Sequence, residues 1–290
     1  MKRLEQPGPA SLTRVQGRAA ALRAVDVVLP AGVSLLQSIA DVAYAHGADS
    51  AVLSFESATL SPLAFVMPAL SAEPDHVAYF SERHEAHGVV NVEGGCITFG
   101  QKDGQPWFHA HAHWRTSTGV LQGGHLLPNE CQLAAPLPVR IWLLDGAAFV
   151  VQPDAETNFS LFQVVQEPRR GDGSDALVAL VRPNEDLCQA LEALCVANGV
   201  RRAVIRGGVG SLIGASFSDG AIVEPPMTEA FIRAGRIEPD DSGELRSNIV
   251  VGLVDNLGQL ATGTLRRGDN PVLITFEIVI EVLERFAEAH

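Results

Sequence analysis

The sequence predicts an α+β protein: two tandem copies of an α/β-sandwich domain, each with a mostly antiparallel sheet and one packed amphipathic helix. Three observations predict it. A helix pattern flanked by strand patterns occurs twice, with Leu35 matching Leu187 and Gly47 matching Gly199 at an offset of 152. Further on, Gly119-Val-Leu-Gln-Gly-Gly-His125-Leu matches Gly258-Gln-Leu-Ala-Thr-Gly-Thr264-Leu at an offset of 139. In both copies the helix is followed mainly by hairpin-type strands, which suits helices on one face of an antiparallel sheet rather than a doubly wound parallel one.

Taken in order, residues 1–18 hold Pro7, Gly8, Pro9 and Gly17 and read as an N-terminal arm without the apolar core of a signal peptide. The first domain is assigned to 19–168. Residues 22–29 are strand-like, and Pro30-Ala31-Gly32 breaks the strand. Ser34 with Gln37 resembles a capping box. Leu35, Leu36, Ile39, Val42 and Ala43 follow at helical spacing, and Gly47 closes the helix. Ala51–Phe55 is again a strand. The polar stretch 167–174 is the expected boundary, and the second domain spans 175–290. There Ala176–Val181 is a strand, and Pro183-Asn184 interrupts it. Leu187, Leu191 and Leu194 run at helical spacing to Asn198-Gly199, and 203–205 is the next strand.

Composition sets the outer bounds. Apolar residues make up 47% and charged residues 19% of 290, a globular composition with ample core. The net charge is −13. Residues 1–174 carry 17 acids and 11 bases, and 175–290 carry 17 and 10, so the acidity is even. No Lys/Arg run exceeds a pair, which argues against nucleic acid as a partner. The cysteines (Cys96, Cys131, Cys188, Cys195) form no CxxC pair and read as reduced thiols of a cytoplasmic protein. No run approaches a membrane span.

Residues 107–127, WFHAHAHWRTSTGVLQGGHLL, hold four of the nine histidines. His109, His111 and His113 alternate, so on a strand all three face one side. Imidazoles at i and i+2 start about 6.6 Å apart at the Cα atoms, close enough to converge on one metal with a third nitrogen from an adjoining strand. A cupin barrel, the rival fold for His-x-His, wants a Glu three or four residues after the second His. Trp114 and Arg115 follow His111 instead, and Thr116 and Ser117 follow His113.

At these residues the chain resembles the plant and prokaryote conserved (PPC or PCC) domain family. The pattern is His109-Ala-His111, then Ser117-Thr118-Gly119, then Gly123-Gly124-His125-Leu126. The family's first half is clearest in the second copy, from Leu180-Val-Arg182-Pro through Val204-Ile-Arg206-Gly-Gly-Val-Gly210-Ser. The resemblance implies a compact sandwich assembled as a trimer, with the His-x-His pair and the Gly-Gly-His histidine binding a metal, commonly zinc. It selects His109, His111 and His125 as ligands. Three neutral imidazoles suit zinc and leave one position open. His113 lies about 13 Å from His109 along a strand, so the two do not share one ion. It is then a neighbour of the ligands, a proton carrier or a spectator. Plant members carry an AT-hook, but no Arg-Gly-Arg-Pro occurs here. At the offset of 139 the four histidines correspond to Asn248, Val250, Gly252 and Thr264, so the second copy reads as degenerate, a scaffold without a site.

Other constellations are weaker. Residues 81–87 (SERHEAH) read as a polar loop, with a lid over the metal as the sharper alternative. Gly207-Gly-Val-Gly210-Ser lacks the spacing of a phosphate loop and reads as a tightly packed turn. Glu277 is an acid in an apolar strand, expected to be buried and hydrogen-bonded. Candidate proton carriers are His113, Glu130, His84 and Glu85.

The sequence leaves three functions open: a metal-dependent enzyme acting on a small molecule, a non-catalytic ligand-sensing or assembly module, and a DNA-binding protein. The net charge disfavours the last. A trimer of two-domain chains is the expected homo-oligomer.

Overall fold

The structure, a computed structural model, describes residues 2–170 and 173–286. The first half contains β1 (Val15–Leu29), α1 (Leu35–Ala45), β2 (Ala51–Phe55), β3 (Ala58–Val66), β4 (Pro68–Ala69), β5 (Tyr79–Phe80), β6 (His84–Ala86) and β7 (Val90–Lys102). It continues through β8 (Gln105–Arg115), β9 (Leu121–Leu133), β10 (Leu137–Asp145), β11 (Ala147–Pro153) and β12 (Ser160–Gln166). The second half contains β13 (Ala176–Val181), α2 (Leu187–Ala197), β14 (Val200–Leu212), β15 (Ala215–Ser216) and β16 (Ile222–Val223). It ends with β17 (Thr228–Pro239), β18 (Leu245–Asp255), β19 (Leu260–Thr264) and β20 (Val272–Arg285). The protein is mostly β and antiparallel; among the described pairings only β7 with β11 is parallel.

Both helices start and stop where local chemistry dictates. Ser34 Oγ accepts from the Gln37 N–H at 3.0 Å, and Asp186 Oδ1 accepts from the Gln189 N–H at 3.0 Å. The Gln37 amide turns forward to Asp41 instead of back to Ser34, so the cap is one-sided. Gly47 and Gly199 follow the helix ends with φ of 70° and 66°, a conformation glycine adopts without strain.

Strand order explains how the halves join. Outward from the centre of the main sheet, one half runs β1-β10-β2-β7-β8-β9 and the other β13-β20-β14-β17-β18-β19. The central pair is β1 with β13. Residues Val15 to Ala20 of β1 pair with β13, and Ala21 to Leu29 pair with β10. Strand structure therefore begins at Val15, inside the expected arm, because the second half supplies a partner edge that a local reading does not see. Between Gln166 and Ala176 the described residues form neither helix nor strand; positions 171–172 of the expected boundary lie outside the described residues.

Each sheet has two faces with different work. Phe108, Ala110, Ala112 and Trp114 of β8 pack in a core with Leu35, Leu36 and Ile39 of α1. A second core joins Leu187, Leu191 and Cys195 of α2 to the other sheet. A third lies between the sheets, where Val52, Cys96, Phe149 and Phe162 meet Val178, Val209, Phe231 and Val279. The layers run helix, sheet, sheet, helix. Gly207 to Ser211 lie inside β14 rather than in a turn. A Cβ on Gly207 would fall 2.5 Å from Val52 Cγ2 and 2.9 Å from Cys96 Sγ, so the glycine lets the two sheets approach. All four cysteines are free and buried. No helix among the described residues is long and apolar enough to cross a membrane.

Candidate metal centre

The alternation of β8 sends its histidines away from α1 and toward the second half. Register then sets their spacing: His111 pairs with His125 across β8 and β9, and His109 is one step along the same face. Gly123 and Gly124 serve close approach, since neither has positive φ. A Cβ on Gly124 would lie 2.7 Å from the Val66 carbonyl oxygen, and one on Gly123 would lie 2.9 Å from His113 Cδ2.

Four groups converge. His109, His111, His125 and Glu229 each offer one donor atom, and all four atoms lie within 4.8 Å of one another. His111 Nε2 is 3.0 Å from His109 Nε2 and 3.2 Å from His125 Nδ1. The Glu229 carboxylate contacts His111 Nε2 and lies 3.9 Å from His125 Nδ1. The outward nitrogens are tied down. His109 Nδ1 lies 2.5 Å from Glu277 Oε2, and His111 Nδ1 donates to the Ala230 carbonyl oxygen at 2.8 Å. Those contacts hold both rings with Nε2 facing the centre, as metal-bound imidazoles require. Two nitrogens held about 2.05 Å from a tetrahedral ion lie about 3.3 Å apart, so the spacing fits zinc with little movement.

Electrostatics point the same way. Burial holds His109 down to about 3, with the His111 charge adding to it, and burial holds His125 down to about 4. Their lone pairs stay free at neutral pH. Burial opposes charge on His111, but the Glu229 carboxylate outweighs it and raises the imidazole above its ordinary value. Burial likewise opposes charge on Glu229, and His111 and His125 overcome it, keeping the carboxyl well below the usual range. The Glu229 carboxylate thus favours positive charge at the centre of the cluster.

The second half is therefore more than a scaffold. It lacks the histidines, yet it brings Glu229, Glu277 and the Ala230 carbonyl. Glu229 went unrecognised in the sequence, although Thr228-Glu229-Ala230-Phe231-Ile232 carries the same signal as Glu277, an acid in an apolar strand. With Glu229 as fourth donor, no tetrahedral position remains open, contrary to the expectation from three imidazoles alone. Glu277 is buried, which pushes its carboxyl up to about 8.

A cavity of about 240 Å³ opens beside the cluster, with His109, His125, Glu229 and Glu277 in its lining. None of the four expected proton carriers lines it. His113 is enclosed against Phe231, ring centroids 5.0 Å apart, and donates through Nε2 to the Leu253 carbonyl oxygen at 3.0 Å. Burial holds it down to about 4. His84 stacks on Phe65, and Glu85 and Glu130 both pair with Arg83 at 2.9 and 2.6 Å. Of the segment before them, Tyr79 and Phe80 do reach the cavity, Phe80 lying 5.0 Å from the His125 ring. Residues 81–87 do not line it.

No curated protein matches the sequence. Among solved structures, a hypothetical protein from Salmonella enterica is similar at 17% identity and TM-score 0.42, over 53% of this chain and 100% of that one. A plant- and prokaryote-conserved protein from Pyrococcus horikoshii is 20% identical with TM-score 0.40, over 51% and 96%. A protein from Archaeoglobus fulgidus, described as metal-containing, is 18% identical with TM-score 0.40, over 49% and 93%. Two others, from Bacteroides thetaiotaomicron and Ralstonia eutropha, are provisionally described as DNA-binding. The sequence model of the Plants and Prokaryotes Conserved (PCC) domain matches residues 169–284, the half without the histidines. Residues 169–284 therefore carry a PCC domain.

Proposed function

We propose that the chain is a tandem PCC-domain protein that holds one divalent metal, zinc by its donor set, at the seam between its two copies. We take that centre as a site where a small molecule is bound and activated. The convergence of three imidazole nitrogens and one carboxylate oxygen within 4.8 Å carries this reading. The tandem arrangement draws on three features. The two helices each have 11 residues, the strand order outward from the centre is the same, and His111 pairs with His125 as Val250 pairs with Thr264.

His109 and His111 Nε2, His125 Nδ1 and Glu229 would hold the ion, with Glu277 and the Ala230 carbonyl orienting two of the rings. Zinc would supply Lewis acidity toward an oxygen of the ligand, entering as a fifth donor. A structural metal is the rival reading, but the cavity beside the cluster favours an open role over a closed one.

Full-length protein purified without added metal is expected to carry close to one zinc per chain by elemental mass spectrometry. The His111→Ala variant is expected to carry almost none. Equal, substoichiometric metal in both would sink the reading. Light scattering at the mass of three chains would support the trimer; a dimer mass would remove it.

A further inference from the structure

Three features of the cavity point beyond the metal. Its wall is aromatic: Tyr79 and Phe159 stack with ring centroids 5.7 Å apart, and Trp107 lies two residues before His109 on the same face of β8. Flat apolar walls of this kind select a flat apolar body. The second feature is Thr275. It is 4% exposed, its Oγ1 has no hydrogen-bond partner among the described residues, and it lines the cavity two residues before Glu277 on β20. A buried hydroxyl left unpaired is unfavourable, so a ligand atom that reaches it gains a hydrogen bond. The third is Lys102, one of two lysines in the chain. It lines the cavity, forms no ion pair within 4.0 Å among the described residues, and holds its ammonium 4.7 Å from the Trp107 ring centroid.

Position along the sheet puts these features in line. Lys102 faces Gln105 across the β7–β8 hairpin, and Gln105 lies four residues, about 13 Å, from His109. Trp107 sits between them along the strand, with the Lys102 ammonium over its ring. A molecule reaching from Trp107 to the cluster therefore has the metal at one end and the cation at the other. The cavity volume of about 240 Å³ has room for one aromatic ring with short substituents.

We propose that the cavity takes a small aromatic carboxylate carrying an oxygen at the opposite end. Lys102 pairs with the carboxylate, the ring lies against Trp107 and Tyr79, and the far oxygen faces the metal with Thr275 Oγ1 in hydrogen-bond reach. The inference rests on the metal reading only for the last of these contacts.

The test uses full-length, zinc-loaded protein and two probes, 4-hydroxyphenylacetate and its neutral analogue 4-hydroxyphenethyl alcohol. Binding is followed by calorimetry and by tryptophan fluorescence, with zinc content measured on the same samples. The acid is expected to bind at least tenfold more tightly than the alcohol. Lys102→Gln is expected to abolish that preference and Lys102→Arg to retain most of it, while Thr275→Val weakens both probes several-fold. Lys102 is partly exposed at a strand end, so its variants are expected to keep the wild-type melting temperature. Equal affinity for acid and alcohol, a preference that survives Lys102→Gln, or no binding of either at millimolar concentration overturns the proposal. A chain that takes up no zinc but keeps the Lys102-dependent preference removes the metal reading and supports this site independently.

Discussion

Glu229→Gln is expected to weaken zinc binding by more than about 100-fold while the chain stays folded. The substitution keeps the side-chain shape and removes the only anionic donor of the four. Loss of an outer partner of a metal ligand typically costs about 10–100-fold in affinity, and Glu229 is placed as a ligand, so its loss exceeds that range. Folding survives because His111 can respond. Glu229 is what raises that imidazole, and without it burial favours the neutral ring. The buried charge thus disappears with its partner instead of remaining uncompensated. Competition against a chromogenic chelator measures the change. Affinity within threefold of wild type would remove Glu229 from the centre and return the second half to a packing role.

The metal-free protein is expected to be most stable near pH 6.5 and to lose stability on either side. His109, His113 and His125 have folded values of about 3, 4 and 4, so between pH 6.5 and 4.5 the unfolded chain binds three protons that the native chain does not. Glu277, raised to about 8, acts in the opposite sense: the native chain keeps one proton that the unfolded chain has released. The net difference is about two protons. Stability should fall by about 3 kcal/mol for each unit below 6.5. Glu229, held low, adds a further loss only below its unfolded value of about 4.5. Above pH 6.5 the three histidines no longer contribute. The raised His111 and Glu277 then lose their protons on the native side, so stability declines through about 8. Thermal melts of chelator-treated protein at pH 5.0, 6.5 and 8.0 check this. A melting temperature unchanged from 6.5 to 5.0 would contradict the burial of neutral histidines.

How much of this was legible depended on whether the deciding contact was local. The run from Trp107 to Trp114 announced two faces by alternation, and the structure sends Phe108, Ala110, Ala112 and Trp114 to one and the histidines to the other. Leu35 and Leu187 begin helices of equal length, because caps and terminal glycines are properties of a few adjacent residues. Glu229 escaped notice for the opposite reason. It lies more than a hundred residues from the histidines, and only the facing of the two sheets brings it there. Glu277 showed itself as a buried acid, but its partner, His109, is 168 residues away. The start of β1 was missed likewise, since the edge that orders Val15 to Ala20 belongs to β13. The candidate proton carriers stand out in the sequence by residue type alone, within or near the motif, and the fold directs them into ion pairs, a ring stack and a closed pocket.

The central claim is that both halves build one metal centre. Anomalous diffraction at the zinc edge from crystals of the full-length protein tests it most directly. The account predicts a single peak per chain, about 2.0–2.1 Å from His109 Nε2, His111 Nε2 and His125 Nδ1, and about 2.0–2.2 Å from a Glu229 oxygen. A peak bound by the three histidines with Glu229 turned away, or no peak at this site, would contradict it.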